Sequence, residues 1–235
     1  MTAVDFDVEC DNLIEATGTN LKRRLNANKK GGAKMGTRNL VAVQIDGKYK
    51  IAQYGQWDGY PSGKGLEVLE FLRERMNEEV FVKALHNSSF IAPEKLDDLW
   101  RQYGADEDGW VTLEQSDAMK RDHPEFSRDT GAKILDIVQG RPEGIELADS
   151  ISFAADGLSC EWIWVIDFDK RTFEGYEGGG DKRLEPGERF AEYDSEEGVM
   201  GYHSPHLVAT FPLDYLPDEE TFLENFKDGE EEEDG

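Results

Sequence analysis

Two short runs rich in apolar and β-forming residues, close together in the chain, predict a β-hairpin. The first run, Leu40–Ile45, is rich in β-branched residues, and the second, Tyr49–Tyr54, follows after Asp46 and Gly47. Asp-Gly is a preferred pair for a two-residue type I′ turn, so the two runs are expected to pair as antiparallel strands.

The two-residue turn also predicts the register of this hairpin. The expected cross-strand pairs are Ile45 with Lys48, Val43 with Lys50 and Val41 with Ala52. The opposite face would then hold Leu40, Ala42, Tyr49 and Ile51. Because both faces carry apolar residues, we expect the hairpin inside a covered sheet and not at its rim.

Apolar residues then recur at helical spacing over the middle of the chain. The predicted helices are about Leu66–Met76, Pro93–Tyr103, Leu113–Lys120 and Thr130–Val138. Further along, Trp162, Trp164, Ile166 and Phe168 alternate along one face of a predicted strand. After a turn, Thr172–Tyr176 returns as a second strand, which predicts an aromatic hairpin. Further strands are predicted at Phe190–Tyr193 and Leu207–Phe211, and a last helix at Pro217–Phe226. This order predicts an α+β fold with a mixed or antiparallel sheet, an N-terminal hairpin and central helices.

Charge divides the chain into three parts. The whole chain has 51 acidic and 26 basic residues, a net charge of −25, which argues against nucleic-acid binding. Seven Lys or Arg and no acid lie between Lys22 and Arg38, whereas six acids lie within the last eight residues. We therefore predict a basic flexible extension over residues 1–34, one α+β domain over 35–226, and an acidic disordered tail over 227–235.

The compartment is predicted from what the sequence lacks. The first residues form no apolar signal segment, no run approaches the roughly 20 apolar residues of a membrane helix, and the two cysteines, Cys10 and Cys160, make no disulfide framework. These features favour a cytoplasmic protein without a membrane partner. Nuclear import through the basic stretch Lys22–Lys30 is the alternative.

The glycine-rich loop Gly55–Gly65, between the hairpin and the first predicted helix, is the candidate site. Glycines permit close approach of the backbone to a ligand, and a helix start offers N–H groups and a positive dipole end. The predicted ligand-binding residues are Arg38, Gln56, Trp57, Asp58, Tyr60 and Lys64, with Arg38 and Lys64 neutralising an anion or nucleotide. A nucleotide P-loop is excluded because the spacing is one residue short and Gly65 replaces the magnesium-binding Ser or Thr. The alternative is that the two aromatics of the loop simply fill the core.

Two motifs resemble an uncharacterised family of proteins from tailed bacteriophages, bacteria and filamentous fungi. They are Gly36-Thr37-Arg38-Asn39-Leu40 and Gln56-Trp57-Asp58-Gly59-Tyr60-Pro61. Members of that family begin at the first motif, so the resemblance implies that residues 1–34 are an extension. It implies no activity and no cofactor.

A second hypothesis is an N-terminal-nucleophile hydrolase, since Gly36-Thr37 opens a strand and such enzymes are cut between Gly and Thr. Gln53 and Leu69 stand where that class carries its Asp and Lys. Asp58 is the alternative catalytic base.

Metal binding is not predicted. Residues 106–112 resemble the middle of an EF-hand loop, but Gly104 and Gln115 replace its end ligands. His203 and His206, separated by Pro205, are expected in an exposed, acidic loop. The functional predictions are thus a small-ligand or interaction module, a hydrolase, or an acidic domain that binds a basic protein.

Overall fold

The computed structural model describes residues 36–226. Strands β1 to β7 span Asn39–Ile45, Lys48–Gly55, Ser89–Phe90, Glu146–Leu147, Trp162–Asp167, Thr172–Glu177 and His206–Pro212. Helix α1 has three consecutive stretches, π-helical at Pro61–Gly65, α-helical at Leu66–Glu70 and π-helical at Phe71–Arg75. Helices α2 to α6 span Glu78–Asn87, Pro93–Gln102, Leu113–Asp122, Ile134–Gln139 and Glu219–Glu224. The predictions for residues 1–34 and 227–235 lie outside the described residues.

A five-stranded mixed sheet organises the fold, in the order β2-β1-β5-β6-β7. Within this sheet, only β1 and β5 run parallel, with Asn39 paired to Trp162, and they join the N-terminal hairpin to the later aromatic hairpin. The α+β class, the mixed sheet and both hairpins are therefore confirmed.

The first hairpin keeps the predicted turn but changes register after it. Asp46 and Gly47 have φ of 53° and 68°, as a type I′ turn requires, and Ile45 pairs with Lys48. A β-bulge between Val43 and Gln44 then leaves Lys50 without a cross-strand partner in β1, so that Val43 pairs with Ile51. The predicted pairs Val43–Lys50 and Val41–Ala52 are wrong, and Ile51 joins the face of Val41 and Val43 instead of that of Leu40. A bulge shifts every later side chain by one position, and the turn residues do not encode it.

The position of the hairpin in the sheet also differs from the prediction. Strand β2 is at the rim, although Ser150 N–H donates to Ala52 O (3.0 Å) and covers part of its outer edge. Apolar residues on both faces of a strand indicate that both faces are buried. They do not indicate whether another strand pairs with it on each side. The expectation of an interior hairpin is therefore wrong for β2 and right for β1.

Helices cover one face of the sheet and form the larger core with it. Its fully buried side chains include Phe71 of α1, Phe81 of α2, Trp164 of β5 and Phe222 of α6. The helices predicted near residues 66, 93, 113, 130 and 217 are all present. Helix α2 was not predicted, although Asn77 caps it by accepting from Val80 N–H (3.1 Å).

The irregular segment 178–205, between β6 and β7, covers the opposite face of the sheet. Phe190 is fully buried there and packs against Tyr176 with ring centroids 5.0 Å apart. The strand predicted at Phe190–Tyr193 is wrong, because those residues form consecutive turns. Turn residues that fill a core show the same apolar pattern as a short strand.

No helix within residues 36–226 combines the length and apolar character that a membrane crossing requires.

Candidate functional site

Asn39, buried at the start of β1, holds the loop Gly55–Gly65 in place. Its side-chain amide donates to the carbonyls of Gly55 and Trp57, each at 3.2 Å. A Cβ at Gly55 would lie 2.7 Å from Asn39 Oδ1, so glycine is required for this approach. One buried amide, which no local sequence pattern marks, therefore anchors two carbonyls of the loop.

Two further hydrogen bonds tie the loop to the sheet. The buried indole of Trp164 donates to Gly59 O (2.8 Å), and Gly59 N–H donates to Thr37 O (2.8 Å). Asp58 adopts φ of 58°, a left-handed conformation that is uncommon outside glycine. Such a conformation persists because the surrounding contacts determine it.

The start of helix α1 is occupied by the loop's own carbonyls. Lys64 N–H donates to Asp58 O (2.8 Å), and Gly63 N–H donates to Tyr60 O (2.9 Å). The Lys64 ammonium is buried and donates to both carboxylate oxygens of Glu67, at 2.7 and 2.8 Å. An anion at this helix start would have to displace these partners. Small-anion binding by Lys64 stays a prediction.

Trp57 is instead fixed on the outside of the loop. Its indole N–H donates to Asp129 Oδ1 (3.0 Å), and one face of the ring covers Gly36, where a Cβ would lie 2.5 Å from Trp57 Cε3. The side chain nevertheless remains 48% exposed. The interpretation of Trp57 as a core plug is therefore wrong, and the ring is a held, surface-facing aromatic.

Asp129 connects Trp57 to helix α4. Its second carboxylate oxygen accepts from Lys120 Nζ (2.7 Å). The Lys120 hydrogen bond lowers the pKa of Asp129, burial opposes this effect, and the Trp57 N–H lowers the pKa further. Asp129 is consequently ionised at neutral pH and holds both side chains.

One face of α4 extends this surface away from Trp57. Leu113, Asp117 and Lys120 follow at intervals of four and three residues, so they share a face about 10 Å long. All three are exposed, Leu113 at 84%, and Trp110 stands 57% exposed just before the helix. We call this set the tryptophan face: Trp57, Asp129, Lys120, Asp117, Leu113 and Trp110.

Four other predicted site residues make hydrogen bonds to neighbouring groups of the protein. Asp58 is exposed and accepts from Tyr60 Oη (3.2 Å), and Gln56 Oε1 accepts from Tyr54 Oη (2.6 Å). Arg38 uses its backbone N–H to donate to Glu161 (3.2 Å). A depression of about 510 Å³ lies elsewhere, within residues 183–192. The assignment of Arg38, Gln56, Asp58 and Tyr60 to a ligand site stays a prediction.

Comparison with known proteins adds no relative. No protein-family model, curated protein or solved structure matches this chain. The resemblance to the phage, bacterial and fungal family accordingly stays a prediction, and function has to be argued from geometry.

The hydrolase and metal hypotheses gain no support from the described residues. Thr37 is buried, and its side chain makes no hydrogen bond within residues 36–226. Asp106 Oδ1 accepts from the N–H groups of Asp108 and Trp110, which makes the EF-hand-like segment a self-contained acidic turn. In the same part of the chain no group of three or more His, Cys, Asp or Glu is arranged for a metal ion.

A buried ionic cluster around Arg189 fastens segment 178–205 to the sheet. Arg189 donates to Asp167, to Glu174 Oε2 (2.8 Å) and to Gln44 Oε1 (2.5 Å). Burial opposes the charged guanidinium, but its carboxylate partners raise the pKa of Arg189 overall. Burial raises the pKa of Glu174, but the hydrogen bonds from Arg189, Tyr176 and Thr172, together with the Arg189 charge, outweigh burial and lower the pKa overall.

A second buried carboxylate organises the same segment. Asp194 accepts from Leu184 N–H (2.8 Å), His203 Nδ1 (2.9 Å) and Ser204 N–H (3.2 Å). Burial raises the pKa of Asp194, but these hydrogen bonds outweigh it and the net pKa is lowered from the usual 3.8. The histidine predicted in an exposed loop, His203, is thus buried, while His206 is exposed at the start of β7.

The lowered pKa of Asp194 predicts that the folded protein loses stability in acid. Because its pKa is lower in the folded state, its contribution is present above the unfolded pKa of about 3.9 and is lost as the pH falls through the folded pKa. We expect Asp194→Asn to lower the free energy of unfolding by about 1–3 kcal/mol at neutral pH. Urea unfolding of both proteins from neutral pH downwards should show this difference shrinking below about pH 4. Glu196→Gln, at an exposed neighbouring position, should change stability by less than about 0.5 kcal/mol, and a pH-independent gap for Asp194→Asn would contradict the assignment.

Proposed function

We propose that this protein is an interaction module that binds a basic protein segment through the tryptophan face. The observation that carries the proposal is the exposure of Trp57 while Asp129 and Gly36 hold its ring. A pre-ordered aromatic side chain loses little conformational entropy on binding, and tryptophan is enriched among residues that dominate interface energies.

The charge around the tryptophan face supports a basic partner. Residues 93–126, which contain α3 and α4, carry ten Asp or Glu and four Lys or Arg. Three of those cations already pair with carboxylates: Lys95 with Glu146, Arg101 with Asp98 and Lys120 with Asp129. The remaining acidic surplus favours a Lys- or Arg-rich segment, and the exposed Trp110 and Leu113 favour one that also carries apolar side chains.

A peptide selection tests this proposal with the full-length protein. A random-peptide display library is enriched on the protein, and the strongest sequences are synthesised and measured by fluorescence anisotropy. We expect Lys or Arg interleaved with aliphatic or aromatic residues, and binding that weakens as salt is raised. Trp57→Ala and Trp110→Ala should each weaken binding by about 30-fold, the effect of losing about 2 kcal/mol at an interface anchor.

Tyr215→Ala is the matched control, since this aromatic is 84% exposed but lies outside the tryptophan face. It should change affinity by less than about twofold. Thermal melting of each variant separates a lost contact from a lost fold. Acidic selected peptides, or unchanged affinity in both tryptophan variants, would contradict the proposal. A rise in melting temperature with phosphate, nucleotides or sugar phosphates would instead favour the predicted small-anion site at Gly55–Gly65.

A further inference from the structure

Strand β7 forms an open edge of the main sheet. It pairs with β6 on one side, and within residues 36–226 no backbone hydrogen bond joins its other side to another segment. The opposite rim differs, because Ser150 N–H donates to Ala52 O of β2. An unpaired row of N–H and C=O groups is a template for a further strand.

The sequence of β7 lacks the charges that usually protect such an edge. His206–Pro212 contains no Asp, Glu, Lys or Arg. A bulge at Val208 interrupts the alternation, so Leu207 does not share the buried face of Ala209 and Phe211. Leu207 and Val208 are consequently both exposed, at 47% and 36%.

Exposed apolar side chains also precede and follow β7 in the chain. Met200 is 61% exposed before β7, and Tyr215 is 84% exposed after it. Of the seven exposed large apolar side chains in the described part of the chain, four belong to residues 200–215. The other three, Trp57, Trp110 and Leu113, belong to the tryptophan face. The molecule thus presents two separate apolar surfaces.

The charge of the protein indicates which partner would pair with the β7 edge. Residues 36–226 contain 40 Asp or Glu and 19 Lys or Arg, so two copies repel each other over most of their surfaces. Strand β7 carries no formal charge, and a second β7 brings no charge to its open edge. A basic partner would gain nothing from an uncharged strand, whereas a second copy avoids like-charge contact there.

We propose that two copies of the protein associate by antiparallel pairing of their β7 strands. A two-fold axis at Ala209 places Leu207 opposite Phe211 of the second copy and Val208 opposite Thr210 of the second copy. The two five-stranded sheets become one sheet of ten strands. The contact is isologous, so it closes at a dimer. Seven residues give an edge of only about 23 Å, so the dimer forms reversibly with concentration.

Sedimentation velocity of the full-length protein tests this dimer over a range of protein concentrations. Raising salt from about 0.1 M to about 1 M shortens the Debye length from about 10 to about 3 Å and screens the repulsion between copies. We therefore expect dimerisation to strengthen with salt, the reverse of the expectation for a basic peptide at the tryptophan face. Because the two proposals predict opposite effects of salt, either one can be contradicted while the other holds.

Lysine substitutions locate the interface. Val208→Lys and Leu207→Lys each place a charge at an exposed position of the proposed β7–β7 interface. Each should weaken dimerisation by about tenfold or more. Leu113→Lys makes the same kind of change on the tryptophan face and should leave dimerisation unchanged. Circular dichroism confirms that each variant is folded. A monomer at every concentration and salt, or a dimer that persists in both β7 variants, would overturn the proposal.

Discussion

Replacing Arg189 with methionine should lower the free energy of unfolding by about 3–5 kcal/mol, because two buried carboxylates lose their counter-charge. Asp167 is fully buried and Glu174 is only 4% exposed. Methionine keeps much of the volume of the arginine stem, so the loss reports the charge and not a cavity. Urea unfolding at neutral pH measures this difference.

Arg171→Met is the matched control for this substitution. Arg171 also bridges two carboxylates, Glu78 and Asp214, each at 2.7 Å, but its side chain is 39% exposed. Water screens these pairs, so the expected cost is about 0–1 kcal/mol. Equal costs at the two arginines would show that the Arg189 cluster is solvated and does not fasten segment 178–205.

Truncating Trp164 to alanine should have an effect of similar size, about 3–5 kcal/mol. Its ring is fully buried, stacks on Trp162 with centroids 5.5 Å apart, and packs against Phe173 and Phe222. The substitution therefore leaves a cavity in the larger core. Thermal or urea unfolding of the purified variant provides the measurement.

Trp164→Phe separates the packing of Trp164 from its hydrogen bond. Phenylalanine retains an aromatic ring but leaves Gly59 O without its indole donor, which should cost about 1–3 kcal/mol. Hydrogen exchange should then speed up in the loop Gly55–Gly65. Trp110→Ala, at an exposed position, is expected to cost less than about 0.5 kcal/mol. Unchanged exchange in Trp164→Phe would mean that Asn39 alone fixes the loop.

Local sequence signals predicted local structure well. The Asp46-Gly47 turn, the start of α3 at Pro93 and the aromatic hairpin all follow from neighbouring residues, and each is present. Helix α2 has a comparable local signal, an Asn77 cap before an apolar helical pattern, and could have been predicted in the same way. The α+β class followed from the order of these elements.

Features that depend on distant contacts could not be predicted in the same way. The register error arose at Lys50, where a bulge is decided by packing against other elements. The position of β2 at the rim depends on the pairing of β1 with β5, which are 123 residues apart at Asn39 and Trp162. Burial of a strand's faces carries no information about its lateral neighbours.

The sequence predicted a candidate site at the loop Gly55–Gly65 but not the geometry of the residues in it. Trp57 was expected either to line a pocket or to fill the core. Its exposed, held position depends on Asp129, 72 residues away, and on the absence of a side chain at Gly36. The role of Arg189 likewise depends on Gln44, 145 residues earlier. Polar residues of this kind look like ordinary surface residues until the fold brings their partners together.

The parallel pairing of β1 with β5 also sets a delay during synthesis of the chain. The first hairpin can form as soon as it leaves the ribosome, but β5 begins 123 residues after the start of β1. At about 5–20 residues per second, the free edge of β1 waits about 6–25 seconds for its partner. Throughout that interval the uncharged run Leu40–Ile45 is open to strands of other nascent chains. From this topology we expect the yield of this protein to depend on translation rate and on chaperones that shield exposed strands.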